Sequence, residues 1–158
     1  MLHIGLIAVH ATAALVCFAS GFWIVYRPDQ MLNRIQIFPI YFGALVIMMV
    51  FLFAAILTDW SQLEMIKQIA FAVLGVLGLY MLLRGFQARQ ALQNKAQGWQ
   101  RRFIDDIGFT LISLFDGFII VSAIDLKFPG WLIIIGAVLA ILAGIVIVNS
   151  FKRQATAE

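Results

Sequence analysis

DDIGFTLISLFDGFIIVSAID, residues 105–125, decides how the whole chain is read. From Ile107 to Ile124 it is apolar over nearly the roughly 20 residues that a helix needs to cross a 30 Å hydrocarbon core, yet it holds Asp116 near its middle. A carboxylate at the bilayer centre costs roughly 2.5–3.5 kcal/mol even on the lenient insertion scale. A chain that keeps one is expected to give it a partner or a task.

Composition supports this assignment. Of the 158 residues 63% are hydrophobic and 12% charged, and the mean hydropathy is +1.00. A water-soluble domain has about half its residues apolar and about a quarter charged. Four further apolar runs join the first one, giving spans at about residues 4–26, 37–57, 66–86, 107–124 and 130–150. The expected fold is an all-α integral membrane protein, one domain built as a bundle of five transmembrane helices. Prolines agree with these limits: Pro28 follows the first span, Pro39 falls in the first turn of the second, and Pro129 opens the fifth, where a missing N–H does little harm. Met1-Leu2-His3-Ile4 lacks the positive residues that open a signal peptide, and the run that follows is too long for one, so the first span is expected to be retained. Cys17 is the single cysteine, which excludes an intrachain disulfide.

Charge fixes the expected orientation. Lys and Arg collect in cytoplasmic loops close to membrane ends. Arg27, Arg34, Arg84, Arg89, Lys95, Arg101, Arg102, Lys152 and Arg153 fall on one side, which is nine of the eleven positive residues. The N-terminus is therefore expected outside and the C-terminus in the cytoplasm, and residues 87–106 form a cytoplasmic basic hairpin that extends the third helix or lies along the interface. Trp23 and Trp99 at one boundary, with Trp60 and Trp131 at the other, fit the same frame. Arg101 and Arg102 precede Asp105 and Asp106 by four residues each, the spacing of local helical ion pairs. Arg84 sits four residues after Tyr80 and near enough to the boundary to snorkel to headgroups. The net charge of +3 is spread over short clusters, so nucleic acid is not an expected partner.

Helical spacing aligns Asp106, Thr110, Ser113 and Asp116 along one face of the fourth span. The plainer interpretation is structural: the hydroxyls bond carbonyls of their own helix and Asp116 makes one hydrogen bond to a neighbour. The functional interpretation is a proton or ion path with Asp116 as the titrating group. On the first helix His3, His10 and Cys17 recur every seven residues, and counting inward from the outer edges puts His10 within about 3 Å of the depth of Asp116, so a contact between them is expected. Two histidines on one helix, about 10 Å apart along its axis, cannot clamp a haem between them. Haem could bind through His10 with another ligand, Met48 and Met49 being the chemical options in the second span, or between two copies of the chain, and neither a metal site nor a catalytic constellation is expected. Small residues carry packing: Gly136, Ala140 and Gly144 form a small-xxx-small face on the fifth helix, and Gly75 and Gly78 serve on the third.

HATAALVCFASG (residues 10–21), followed by Arg27-Pro28, resembles the opening helix of small uncharacterised bacterial multi-pass inner-membrane proteins, and DIGFTLISLFDGF (residues 106–118) looks like a segment of the same kind. The resemblance implies a location in a bacterial inner membrane and carries no activity with it. Three functions are then expected in order. The first is a non-enzymatic membrane protein that works by assembly, as a homo-oligomer or as an accessory subunit of a larger membrane complex, with the lipid bilayer as its other partner. The second is a proton-coupled transporter or channel that uses Asp116 and His10. The third is electron transfer with haem or quinone.

Overall fold

The computed structural model describes residues 2–26, 31–62 and 65–156. Arg27, Pro28, Asp29 and Glu64 lie outside the described residues, as do the side chains of His3, Arg34, Asp59, Lys67 and Asp125. Five long helices account for nearly all of it: α1 (Leu2–Tyr26), α2 (Met31–Asp59), α3 (Met65–Asn94), α4 (Trp99–Asp125) and α5 (Gly130–Thr156), with a short 3₁₀ turn at Trp60–Gln62 between α2 and α3. All five are long and apolar enough to cross a membrane, and no strand occurs among the described residues.

The helices outrun the apolar runs that signal them. At 25–30 residues and 1.5 Å per residue they are about 37–45 Å long, so each exceeds a 30 Å hydrocarbon core by one or two turns at its ends. Polarity does not stop them because helix formers such as Gln87, Ala88, Arg89, Gln90, Ala91 and Leu92 continue α3 as far as Asn94. The connection to α4 is therefore only residues 95–98. It closes with Lys95 at φ 45° and Gly98 at φ 74°, the second being the N-cap of α4 in a left-handed conformation that glycine adopts at little cost. At its other end α4 stops in a Schellman-type turn: Phe128 N–H donates to the Ala123 carbonyl and Lys127 N–H to that of Ile124, with Lys127 at φ 57°.

One proline departs from expectation. Pro39 lies well inside α2, which begins at Met31, and so leaves the backbone one hydrogen bond short in mid-helix instead of sitting in a first turn.

α1, α2, α3 and α4 pack as a ring in which each helix is antiparallel to its neighbours, and α5 lies outside it against α4. The ring interior is filled by Cys17, Tyr41, Leu45, Met48, Met49, Met81, Phe103, Ile107 and Leu111. Outward faces are apolar too, with Leu15, Val50, Val73, Val76, Phe118, Ile134 and Val146 all exposed. Such a surface suits hydrocarbon and not water. α4 touches α1, α3 and α5, and its packing on α3 and α5 is the more extensive.

Candidate functional site

Four polar side chains are buried among the described residues, and all four are on α4: Asp106 at 5% exposure, Thr110 at 0%, Ser113 at 7% and Asp116 at 7%. Their spacing turns one face of α4 polar over ten residues, about 15 Å.

At the end near residues 95–98 this face is strongly engaged. Arg84 of α3 places Nη1 3.0 Å from Asp106 Oδ1, and its guanidinium also lies 5.6 Å from the centroid of the Phe109 ring. Tyr80, one turn earlier on α3, meets the same ring edge-on at 5.0 Å. Asp105 reaches α5 instead, accepting from Lys152 Nζ at 2.5 Å. The two carboxylates thus bind α4 to the helices on either side of it. Arg102, four residues before Asp106, adds a favourable charge to it, while Arg84 points into the bundle and not to headgroups, because a buried carboxylate without a cation would be costly.

Tyr41 of α2 is a residue that the sequence reading misses, and it is the largest fully buried side chain among the described residues. It lies between α1 and α4, where a β-carbon on Gly21 would meet both its ring and Leu111, and its neighbour Phe38 also reaches Phe103 of α4. Thr110 Oγ1 donates to the Asp106 carbonyl at 3.3 Å, and the tyrosine hydroxyl, with Thr110 beside it, makes no hydrogen bond. A signal did exist, because Tyr41 is the only side chain in the apolar run 37–57 with a hydrogen-bonding group.

Asp116 is in a different situation. Its Oδ1 is buried with no hydrogen-bond partner. His10 does not meet it: the imidazole Nδ1 lies 3.0 Å from the Met48 carbonyl oxygen on α2. Register explains why. Gly21 abuts Leu111 where α1 and α4 run antiparallel, so the α1 position level with Asp116 is near residue 16, and His10 lies about 9 Å further along the axis. The Met48–Met49 pair is core, Met49 lying against Gly78. Among the described residues no group of three or more His, Cys, Asp or Glu side chains could hold a metal ion.

The small residues sort by depth. A β-carbon placed on Gly144 would come 2.6 Å from Ile112, and one on Gly78 2.2 Å from Met49, whereas on Gly136 the nearest atom would be Ile119 at 3.8 Å and on Gly75 Phe53 at 3.4 Å. Ala140 is buried between the two α5 glycines. This face of α5 is thus spent inside the chain, on α4.

No protein-family model, curated protein or solved structure matches the chain.

Proposed function

We propose that this is a multi-pass membrane protein that carries protons along the buried polar face of α4, with Asp116 as the group that takes up and releases the proton. One observation supports it above the rest. Tyr41 Oη, Arg84 Nε and Asp116 Oδ1 are the buried side-chain polar atoms that lack a partner among the described residues, and all three lie on this face or against it. An orphaned buried polar group costs about 1–3 kcal/mol, so three along one track are more economically explained by water or protons that visit than by packing alone. Carboxylates at Asp106 and Asp116 with hydroxyls at Thr110 and Ser113 between them supply groups that both give and accept protons.

The test is flux. In liposomes under a potassium diffusion potential the wild-type chain should acidify or alkalinise an entrapped pH indicator, and Asp116→Asn should slow this at least tenfold. Wild-type vesicles that behave like empty ones would end the proposal.

The orientation we propose has the N-terminus outside and the C-terminus in the cytoplasm of a bacterial inner membrane, as the distribution of Lys and Arg suggests. A cysteine at Asn94 should then be shielded from an impermeant external thiol reagent, and one at Ser61 should react.

Assembly is the second reading, and what favours it is α5. This helix stands outside the ring, with Trp131, Ile134, Val138, Leu139 and Val146 exposed along its length. Lipid alone satisfies that face, so mass measurement in a native-like nanodisc decides between a single copy and a complex. An electron-transfer role would rest on His10, whose Nδ1 is engaged by Met48 and whose Nε2 is the nitrogen left for iron. A Soret band in the purified protein is the sign to look for.

A further inference from the structure

Two of the three orphaned atoms flank a single carboxylate. Arg84 of α3 pairs with Asp106, and Tyr41 of α2 comes up to the same part of α4, the Phe38 ring lying 5.8 Å from that of Tyr41 and 5.7 Å from that of Phe103, one turn before Asp106; the Tyr41 hydroxyl has Thr110 beside it and makes no hydrogen bond. A buried hydroxyl beside a carboxylate that does not use it is unfavourable in this arrangement and favourable in another one close by. We propose that Asp106 is a two-position switch: ionised it pairs with Arg84, and protonated it releases Arg84 and hydrogen-bonds the Tyr41 hydroxyl. Tyr41 is then a positioning residue of the proton path, a part that nothing else in the protein assigns to it.

The step balances simply. A proton from the aqueous phase adds to a carboxylate oxygen of Asp106, no other bond breaks, and the arginine keeps its charge. What is lost is the attraction between full charges, which is what held the side chain on Arg84. Arg84 can leave because its side chain is 26% exposed, and its long stem lets the guanidinium move toward the polar boundary. The carboxylic acid that remains has a hydroxyl to donate and a carbonyl to accept, and Tyr41 offers both complements.

The groups that compete for Asp106 come from all five helices. α1 presents Cys17, which lies beside Tyr41, and α2 presents Tyr41 itself. α3 presents Arg84, and α4 brings Asp105 and Arg102. Lys152 of α5 is held by Asp105. Thr110 already gives its hydroxyl proton to the Asp106 backbone carbonyl, so Tyr41 is the neutral group with a free proton that protonated Asp106 can turn to.

The switch deepens the proton-path reading, but it is tested without flux. In full-length protein in detergent, Tyr41→Phe should leave the melting temperature unchanged or raise it, since it removes a hydroxyl that is unpaired while Asp106 is ionised. In the Asp106→Asn background, where a neutral amide stands for the protonated acid, the same change should lower it by several degrees. Should Asp106→Asn not fold, the comparison is made by pH: Tyr41→Phe should cost nothing at pH 8 and several degrees at pH 4.5. A loss in the ionised state, or no difference between the two states, would overturn the switch. Proton flux measured beside these melts separates the two ideas. Flux without state-dependent coupling keeps the path and removes the switch, and coupling without flux does the reverse.

Discussion

The end of the bundle at residues 95–98 and the end at residues 126–129 are built on different terms. Near the first, two ion pairs cross between helices, Phe38, Phe42, Phe103 and Trp99 stack in series, and Gly108 lets Val148 so close that a β-carbon would meet it at 2.7 Å. Towards the second, a β-carbon on Gly117 would find Leu74 only at 3.9 Å, Gly136 has comparable room, and the hydrogen bonds between elements, His10 to Met48 and Gln68 to Trp60, end on backbone carbonyls. Asp116 sits where tight packing gives way to loose. The difference teaches that close packing and polar ties between helices are concentrated at one end of the bundle. Lipid supplies no hydrophobic force between helices, so close approach of small residues and polar bonds decides where they hold together.

This contrast is sharpened first by the ion pair. Asp106→Ala removes the charge-assisted bond to Arg84, which is left to reach the polar boundary, and should cost about 1.5–3 kcal/mol of folding stability in a detergent-denaturation titration. Packing comes next. Gly144→Val should cost about 1–3 kcal/mol through overpacking against Ile112, while Gly136→Val should cost less than about 0.5 kcal/mol. Equal losses at the two glycines would mean that the ends are packed alike and that the contrast is false. Asp116→Leu should be neutral or stabilise by about 1 kcal/mol, because it replaces an unpartnered carboxylate, and should abolish flux all the same. Smallest is His10→Leu, which removes one hydrogen bond and should cost about 0.6 kcal/mol, the average for polar contacts between membrane helices. A cost of several kcal/mol there would show that the loose end is held more firmly than its packing suggests.

Much of this was legible before any coordinates. Five apolar runs give five helices because the bilayer imposes a length and leaves backbone hydrogen bonds nowhere to go but within the helix. Helical spacing alone places Asp106, Thr110, Ser113 and Asp116 on one face, and that face is buried. What sequence could not supply was axial offset between helices. Arg84 and Asp106 are 22 positions apart, and their meeting depends on the short turn at residues 95–98 continuing both helices into register. His10 and Asp116 miss each other for the same reason: a depth counted from apolar edges shifts when α1 and α4 extend past those edges, and the packing of Gly21 on Leu111 sets the true register. Tyr41 was overlooked because an aromatic residue in an apolar run packs well whether or not its hydroxyl is used.

The turn at residues 95–98 has a consequence for biogenesis. Arg84 and Asp106 belong to consecutive helices joined by those four residues, so the pair can close as soon as α4 has been synthesised, before any of α5 exists. In the membrane role proposed above, the hairpin would leave the translocon with these two charges, close to its turn, already neutralised by one another. A longer connection would let each helix wander into lipid alone, and the same two side chains that hold the finished bundle would become its obstacle to insertion.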